Sequence, residues 1–434
     1  MTGEESGVIL LKQEIKDRVE QIREGVVPDG YKETRVGIIP EDWEVTKLGH
    51  IVDILNGTSP SKVIFDEASD IPYFKVDDLN NSEKWLEESE LTVSSERIRL
   101  LPKNSLIFPK RGAAISTNKV RINRRACHLD TNLMGLTLKE DNFEYFYNYI
   151  YNKRLYRIAD VSTIPQINNK HINELDIKVP TIPEQQKIAD ILSTWDRAIE
   201  LKESLIKEKE EQKKGLMQEL LTPVNSNQWF KLKLRDLGKT YNGLTGKTRK
   251  DFGTGKKFIT FKNIFDNSKL NLNVFDRVLL KEGEKQNMIK YGDVFFTTSS
   301  ETPHEVGMSS VLLDEIEEDI YLNSFCFGFR LNSFEEVLPE FLRYCLRGDS
   351  FRYEMMRLAQ GSTRFNLSKT EFLKTTLEVP SISQQHRIAK ILSTADQEID
   401  LLKREVAKLK EQKKGLMQLL LTGIVRVKEA VTSG

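Results

Sequence analysis

The 434-residue sequence predicts an α/β protein in which two globular domains are held apart by an antiparallel coiled coil of two long repeated helices, with pseudo-twofold symmetry. Two observations predict this class. Residues 182–222 and 382–422 align without a gap at an offset of 200, and Glu211–Gln218 is identical to Glu411–Gln418. The segments before both copies carry short apolar runs broken by Gly, Pro and Asn, a pattern typical of strands joined by turns.

The chain begins with a predicted N-terminal helix in residues 1–30, followed by a first globular domain in residues 31–181. The segment VILLKQEIKDRVEQIRE is amphipathic, and Gly25 is expected to end its helix. In the domain, the runs IVDIL, IPYFKV and SLIFP predict strands, and the aromatic-rich run FEYFYNYIYNKRLYRIA predicts a helix near the end. This domain is therefore expected to be α/β.

Residues 182–222 predict the first long helix. Thr181 and Glu184 have the form of a capping box, as do Ser381 and Gln384 before the second copy. Apolar residues then recur three and four apart between flanks rich in Lys and Glu, which favours a two-helix coiled coil. The recurring positions are Ile188, Leu192, Trp195, Ile199 and Ile206, and in the second copy Ile388, Leu392, Ala395, Ile399, Leu402, Val406 and Leu409.

The apolar stripe of the first helix is imperfect. Three lysines stand where apolar residues are expected, namely Lys202, Lys209 and Lys213. We expect them at the edge of the seam with their amines in solvent, although Leu201 and Leu205 suggest a shifted register. Glycine is unfavourable inside a helix, so Gly215 and Gly415 predict a close backbone approach or a local break.

A second globular domain is predicted in residues 223–381, and the second long helix with a C-terminal tail in residues 382–434. The dipeptide Asn56-Gly57 recurs as Asn242-Gly243. Sequence identity between the halves is high in the helices and low within the domains. The helices are therefore expected to have the same function in both halves, and the domains different functions. Antiparallel helices would also bring the N-terminal helix and the C-terminal tail to one end.

Composition narrows the class of protein. The formal net charge is zero, with 65 basic and 65 acidic residues, so only the placement of charge can indicate a nucleic-acid partner. The cysteines show no CxxC spacing, which favours a reducing compartment over a disulfide framework or a zinc ribbon. No apolar run has the length of a membrane span, and no signal peptide is evident. A cytoplasmic protein with no membrane partner is expected.

Motifs for catalysis are absent from the sequence. The segment Gly243–Thr248 resembles a phosphate-binding loop, but Tyr241 stands where the first glycine of that loop is required, so a turn between strands is expected. No dinucleotide fingerprint follows a strand, and the histidines show no spacing typical of a metal site. The sequence therefore predicts no catalytic residue, no metal and no cofactor in this chain.

Basic residues are clustered in both domains. Nine lie between Arg97 and Arg125 without an acidic residue, and a second group lies between Lys247 and Lys262. Each cluster fits either a phosphate-binding face or a surface paired with acids, and their occurrence in both domains favours nucleic acid. Polar loops at 162–168 and 361–366 add residue types that can contact base edges. The candidate DNA contacts are Lys110, Arg111, Lys119, Arg121, Arg124, Arg125, Lys247, Arg249, Lys250, Lys262, Arg364 and Asn366.

Three kinds of segment resemble the specificity subunits of type I restriction-modification systems. They are VGIIPEDWEVTKLG at 36–49, the helix starts IPEQQKIADIL and ISQQHRIAKIL, and the endings KKGLMQ followed by LLT. The resemblance implies that each globular domain is a target recognition domain for one half of a bipartite, asymmetric, interrupted DNA site. It also implies that the helices set the half-site spacing and dock two methyltransferase subunits, which restriction/translocase subunits join.

The resemblance further implies that S-adenosylmethionine, ATP and Mg are bound by those partner subunits and not by this chain. The candidate partner-binding residues are Gln185, Gln385, Lys214, Leu216, Met217, Lys414, Leu416 and Met417. Two alternatives are a coiled-coil scaffold unrelated to DNA and an autonomous methyltransferase or nuclease. The missing catalytic motifs disfavour the second of these.

Overall fold

The structure, a computed structural model, describes residues 3–96, 98–140, 142–160, 164–223 and 229–427. The chain forms two compact units: unit 1 combines residues 1–202 and 405–434, and unit 2 comprises residues 203–404. Each unit contains one globular domain and part of both long helices. None of the helices in the described ranges combines the length and apolar character that a membrane crossing requires.

Unit 1 contains the predicted N-terminal helix and an α/β domain. Its helices, of which the last continues into unit 2, are α1 (Gly3–Arg23), α2 (Leu48–Ile51), α3 (Phe143–Lys153), α4 (Asn169–Asn173) and α5 (Ile182–Leu221). Its strands are β1 (Tyr31–Thr34), β2 (Gly37–Pro40), β3 (Glu44–Lys47), β4 (Val52–Asn56), β5 (Tyr73–Phe74), β6 (Trp85–Leu86), β7 (Leu106–Pro109), β8 (Arg121–Asn123), β9 (His128–Leu129), β10 (Leu133–Leu138) and β11 (Asp176–Val179).

The main sheet of unit 1 has the order β4-β10-β7-β8-β6, and β10 is antiparallel to both of its neighbours. Helix α3 begins because the Asn142 side chain accepts a hydrogen bond from the Tyr145 amide (2.9 Å), and it ends at Lys153 because the next residue, Arg154, has a φ of 58°. Its buried side chains, among them Phe146 and Ile150, belong to the same hydrophobic core as residues of β4, β7 and β10. The predicted aromatic helix is therefore a core helix.

Unit 2 repeats this plan with different details. Its helices, of which the last continues into unit 1, are α6 (Leu234–Leu237), α7 (Phe261–Asp266), α8 (Pro339–Cys345), α9 (Asp349–Leu358), α10 (Lys369–Lys374) and α11 (Ile382–Leu420). Its strands are β12 (Trp229–Lys233), β13 (Gly238–Asn242), β14 (Phe252–Ile259), β15 (Asp276–Val278), β16 (Val294–Thr297), β17 (Ser299–Ser300), β18 (Ser309–Val311), β19 (Ile320–Leu322), β20 (Cys326–Leu331), β21 (Ala359–Gln360), β22 (Phe365–Leu367) and β23 (Thr376–Pro380). The sheet β13-β20-β16-β18 corresponds to the main sheet of unit 1.

The long helices α5 and α11 pair in antiparallel fashion within each unit. Ion pairs between them are Lys202–Glu405 and Asp196–Lys413 in unit 1, and Lys209–Glu398 and Lys213–Asp396 in unit 2. The pairs Asp196–Lys413 and Asp396–Lys213 are counterparts at the offset of 200, so each unit contains the same contact between the long helices. Two α/β domains with two long antiparallel helices confirm the predicted fold class.

The seam differs from expectation in its polar positions. The three interrupting lysines do not simply extend into solvent, because each meets an acidic side chain of the other helix, for example Lys209 and Glu398 at 2.7 Å. Leu201 is 62% exposed and Leu205 is also exposed, so the suggested register shift does not occur. Lysines can occupy these positions of the apolar stripe because each forms an ion pair with the other helix.

The two helix starts differ from each other. Ser381 and Gln384 form part of the predicted capping box, since the Gln384 amide donates to the Ser381 hydroxyl (3.4 Å). In the first copy the carboxylate of Glu184 instead accepts hydrogen bonds from Trp43 and Arg426. The capping-box prediction for Glu184 is therefore wrong, because a buried indole and guanidinium take its oxygen atoms.

The N-terminal helix and the C-terminal tail meet, as predicted. Arg18 of α1 donates to the Ile424 carbonyl (2.7 Å), and the Tyr31 hydroxyl donates to the Gly423 carbonyl (2.7 Å). Val425 packs against the core of unit 1. The tail is thus part of the fold of unit 1 up to the last described residue, Val427.

Gly215 and Gly415 lie inside continuous helices, and a Cβ on either would have nothing within 4 Å. The predicted close approach or break is therefore wrong.

We expect Gly215→Ala and Gly415→Ala each to raise the free energy of unfolding by about 1 kcal/mol in urea titrations, because alanine is the better helix former. Gly57→Ala is the control that should destabilise, since its Cβ would collide with the Asp130 backbone. Stability unchanged in both helix variants would contradict the expectation.

Candidate nucleic-acid interface

In unit 1, polar side chains gather where strands of the main sheet end. Asn56 ends β4, Lys110 follows β7 and Asn132 precedes β10, and the antiparallel pairing of β10 brings these positions together. The Lys110 amine donates to Asn56 Oδ1 (2.7 Å), and Asn56 Nδ2 donates to Asn169 Oδ1 (2.9 Å) at the start of α4. We call Asn56, Lys110, Asn132 and Asn169 the unit 1 edge.

Positive charge is crowded at this edge. Burial lowers the pKa of Lys110, the neighbouring guanidinium of Arg111 lowers it further, and the carboxylate of Asp130 partly opposes both. Arg111 is exposed and forms an isolated antiparallel bridge with Gln166. The edge therefore offers hydrogen-bond donors and positive charge on a polar surface.

Unit 2 has the corresponding edge, formed by Asn242, Thr298, Phe325 and Lys369. Asn242 ends β13, Thr298 follows β16 and Phe325 precedes β20. The Thr298 amide donates to the Phe325 carbonyl (3.0 Å), as the Lys110 amide does to Asn132 (2.8 Å). The amine of Lys369, the first residue of α10, donates to Asn242 Oδ1. The Phe325 side chain is 58% exposed.

Two further predicted contacts lie beside the unit 2 edge. Asn366 of β22 pairs with Ser299 of β17, the residue after Thr298. Asn366 and Arg364 are both exposed, and Asn366 Nδ2 donates to the Arg364 carbonyl (3.3 Å). Lys110 and Arg111 thus lie at the edge of unit 1, and Arg364 and Asn366 lie beside the edge of unit 2. Residues 161–163 of the matching loop in unit 1 lie outside the described residues.

The rest of the first basic run is divided by β8. Lys119 precedes this strand and donates to Asn80, whereas Arg124 and Arg125 follow it at the opposite end. Arg124 lies 4.3 Å from the centre of the Trp85 ring and 3.7 Å from Glu87, and Arg125 pairs with Asp70 (3.3 Å). Pairing with acids, the alternative raised by the sequence, thus applies to both arginines. Arg97 lies outside the described residues.

Arg121 does not fit a role in phosphate binding. Its side chain is buried, and its Nε and Nη2 atoms both donate to the Leu79 carbonyl, at 3.2 and 2.8 Å. Burial lowers its pKa, with smaller opposing effects from nearby groups such as Tyr147. All three residues of β8 are buried, so Arg121 is not available to a phosphate and is not a DNA contact.

The second basic cluster contains one residue that is turned inward and several that are exposed. The Lys247 side chain is 3% exposed and is bonded to Glu284 and to the Leu279 carbonyl (2.8 Å). The Lys247 hydrogen bond is the main reason why the pKa of Glu284 falls to about 2. We therefore withdraw Lys247 as a phosphate contact. Exposed members are Arg249 and Lys250 in a 3₁₀ turn, and Lys262, which pairs with Asp266 (3.0 Å).

The candidate partner-binding glutamines are buried, contrary to expectation. Gln185 and Gln385 are both 0% exposed. Gln185 accepts from the Asn142 amide (3.1 Å), and Gln385 accepts from the Leu338 amide (2.9 Å), so each ties the start of a long helix to its own domain. Their recurrence reflects the same internal bond in both units and not a surface for partners.

The repeated KKGLMQ segments also contribute to packing. Met417 is buried in the core of unit 1, with Leu416 partly buried against it, whereas Leu216 and Met217 are both partly buried against the core of unit 2. Of the candidates in these segments, the exposed ones are Lys214 and Lys414. Their exposed amines are the part of the segment that a partner could reach.

Sequence reasoning missed Asn56, Asn242, Phe325 and Lys369 as site residues. A signal was present, because an Asn-Gly pair recurs in both halves. A Cβ at Gly57 or at the equivalent glycine of unit 2 would collide with the backbone of a neighbouring loop, so glycine allows that loop to approach the asparagine. No cluster of three or more His, Cys, Asp or Glu side chains suited to a metal ion occurs in the described part of the chain.

Comparison with known proteins places both halves in one family. The family model described as "Type I restriction modification DNA specificity domain" matches residues 40–211 and again residues 226–411. The two matches correspond to the two halves of the repeat.

Individual relatives agree. The chain is 25% identical over 282 residues to the "Type I restriction enzyme MjaVIII specificity subunit" of Methanocaldococcus jannaschii, covering 61% of this chain and 65% of that protein. The putative MjaX specificity subunit of the same organism is 25% identical over 297 residues, covering 63% and 64%. The chain thus spans slightly less than two thirds of the length of either relative.

A solved structure shares the fold. It is described as "Structural basis underlying complex assembly and conformational transition of the type I R-M system", with a TM-score of 0.60 and 13% identity over 89% of this chain and 99% of that one. At this identity the likeness concerns the fold alone.

Proposed function

The chain belongs to the family of type I restriction-modification DNA specificity domains, and from this premise we propose that it is the sequence-recognition subunit of a type I restriction-modification complex. In this proposal each globular domain contacts one half of a bipartite, asymmetric, interrupted DNA site. Family membership confirms the resemblance found in the sequence, and it supports the prediction of a specificity subunit. The observation that carries the proposal is the double family match, one to each half of the chain.

The two edges support recognition of two different half-sites. They occupy equivalent positions in their units but differ in side chains, with Lys110 and Asn132 in unit 1 against Thr298 and Phe325 in unit 2. Base sequence is distinguished by the donors, acceptors and apolar groups that meet the groove. Two unlike edges on a repeated frame would therefore select an asymmetric target, with α5 and α11 setting the spacing.

Cations at the surface would supply the part of the affinity that does not depend on sequence. The surface candidates that remain are Arg111, Lys119, Arg124, Arg125, Arg249, Lys250 and Lys262. Several pair with acids, but exposed ion pairs contribute at most about 1 kcal/mol, so phosphates can replace the acids at small cost. Binding through these residues would weaken steeply with rising salt because each phosphate contact releases counterions.

The repeated helices would dock two methyltransferase subunits, which restriction/translocase subunits join. Exposed positions that recur in both helices support two similar docking surfaces, namely Lys214 with Lys414, and Leu201 (62% exposed) with Leu401 (57% exposed). In this proposal S-adenosylmethionine, ATP and Mg belong to the partners. The methyltransferases would modify an adenine in each half-site, which requires the base to be flipped from the helix.

A domain exchange tests the proposal. The full-length chain is produced with its methyltransferase subunits, and methylated adenines are mapped by long-read sequencing. We expect an interrupted motif, and we expect replacement of residues 223–381 by the same segment of another family member to change one half of it and leave the other half unchanged.

A continuous motif that survives the exchange would contradict the two-domain proposal. DNA retention that does not fall with rising salt, or no binding at all in the presence of partners, would instead favour a coiled-coil scaffold. Methyl transfer by the isolated chain would favour an autonomous enzyme.

A further inference from the structure

An asparagine–lysine pair occurs at the same place in both units, but its lysine comes from different parts of the chain. Asn56 ends β4 and Asn242 ends β13, which are equivalent strands. The amine on Asn56 belongs to Lys110, which follows β7, whereas the amine on Asn242 belongs to Lys369, which begins α10. The same pair is therefore formed by lysines from two different positions in the domain.

The equivalent positions confirm this exchange. The Ile167 amide donates to the Lys110 carbonyl (2.8 Å), and the Leu367 amide donates to the Thr298 carbonyl (2.9 Å), so unit 2 has Thr298 where unit 1 has Lys110. Conversely, unit 1 has Asn169 at the first position of α4, where unit 2 has Lys369. Each unit thus places one amine against the asparagine oxygen from one of two positions.

Folding does not explain why the pair occurs twice. Both asparagines are exposed, and a hydrogen bond at an exposed site contributes little to stability because water can replace either partner. The sequences of the two domains differ around these residues, but both domains contain the pair where the strands β4 and β13 end. An exposed arginine also lies close along the chain to each lysine, namely Arg111 next to Lys110 and Arg364 shortly before Lys369. A ligand outside the chain accounts for this placement.

The chemistry of the pair selects among base edges. The lysine amine occupies the asparagine carbonyl oxygen, so the pair presents N–H donors: the ammonium has three and Asn56 or Asn242 accepts one of them. In the major groove guanine presents two acceptors, N7 and O6, whereas adenine presents one acceptor beside a donor, thymine presents one acceptor beside a methyl group, and cytosine presents a donor. A group made of donors therefore matches guanine.

We propose that Lys110 with Asn56, and Lys369 with Asn242, each contact a guanine in the major groove of one half-site. This inference rests on the proposed function, because it assumes that each unit binds one half of a DNA target. It assigns base specificity to four residues and leaves the exposed lysines elsewhere to the phosphates. Composition alone cannot distinguish lysines that contact bases from lysines that contact phosphates, and this assignment does.

The test selects preferred sites from a pool of randomised DNA duplexes, using the full-length chain assembled with its methyltransferase subunits. Wild type is compared with Lys110→Met and Lys369→Met, and with Asn56→Ala and Asn242→Ala as a second pair of variants. Lys119→Met and Lys250→Met are the matched controls, because Lys119 donates to Asn80 and Lys250 lies in a 3₁₀ turn outside the strands that carry the asparagines. Thermal unfolding of each variant is measured alongside and is expected to match wild type.

We expect Lys110→Met to lower the preference for guanine at one position of one half-site by about tenfold, and Lys369→Met to do the same only in the other half-site. The controls should weaken binding to all duplexes alike and leave the motif unchanged. An interrupted wild-type motif that every asparagine and lysine variant retains would overturn the inference while leaving the proposed function intact. A wild-type complex that selects no motif would overturn both.

Discussion

Replacing Arg426 with alanine is expected to lower the free energy of unfolding of unit 1 by about 3 kcal/mol or more, because it leaves a buried carboxylate without its cation. Arg426 holds both oxygen atoms of Glu184, at 2.9 and 2.8 Å, and also reaches Asp42 at 2.8 Å. The Glu184 side chain is 3% exposed and also accepts from the Trp43 indole (2.7 Å). For a unit of this size the unfolding midpoint should fall by roughly 6–12 °C.

The same cluster predicts how the effect depends on pH. Burial raises the pKa of Glu184, but hydrogen bonds from Arg426 and Trp43 lower it more, so it lies below the ordinary value of 4.5. A lowered carboxyl pKa contributes stability that is complete above the ordinary value and is lost as the pH falls through the lowered one. The difference between wild type and Arg426→Ala should therefore be full at neutral pH and shrink from about pH 4.5 downwards.

Thermal and urea unfolding at neutral and acidic pH measure both effects. Arg387→Ala is the matched control, since Arg387 is an exposed arginine on α11. If Arg426→Ala changes stability no more than this control does, the carboxylate is not held as the structure indicates. A difference that grows on acidification would contradict the pH dependence.

Replacing Gln385 with alanine is expected to lower the free energy of unfolding of unit 2 by about 3 kcal/mol, through unsatisfied buried groups and a small cavity. The Gln385 side chain accepts from the Leu338 amide (2.9 Å) and donates to the Glu336 and Pro380 carbonyls, both at 2.9 Å. Alanine would leave the Leu338 amide and these carbonyls without that partner. Gln185→Ala should act in the same direction in unit 1.

Urea titration followed by circular dichroism measures this loss. Gln397→Ala is the matched control, because Gln397 is an exposed glutamine on the same helix, where alanine is a good helix former. Equal stability of the two alanine variants would show that the buried amide is dispensable. It would then leave the recurrence of glutamine at both helix starts without a structural reason.

The sequence alone predicted the elements that depend on local pattern. A 3.6-residue apolar period and an offset of 200 predicted α5 and α11, and the structure has them at Ile182–Leu221 and Ile382–Leu420. The short apolar runs predicted strands in both domains, and the absence of the first glycine correctly predicted a turn after Asn242, where Gly246 has a φ of 67°. The resemblance to specificity subunits was likewise available from these motifs.

Side-chain direction was harder to predict. Arg121 and Lys247 belong to basic clusters, but the first is buried against the Leu79 carbonyl and Glu284 binds the second. Gln185 and Gln385 recur because each closes a buried contact, which looks the same in sequence as a recurring surface. The sequence shows which residues are charged and which recur, but it does not show which residues they contact in the folded chain.

The sequence by itself therefore determined the repeat, the long helices, several strands and the family. Only the tertiary structure decided which polar residues meet and which of them remain on the surface. Lys369 and Asn242 are 127 positions apart, and Arg426 and Glu184 are 242 apart. The physical reason is that periodicity and turn chemistry act over a few residues, whereas burial and pairing depend on which distant segments the packing of the sheets and helices brings together.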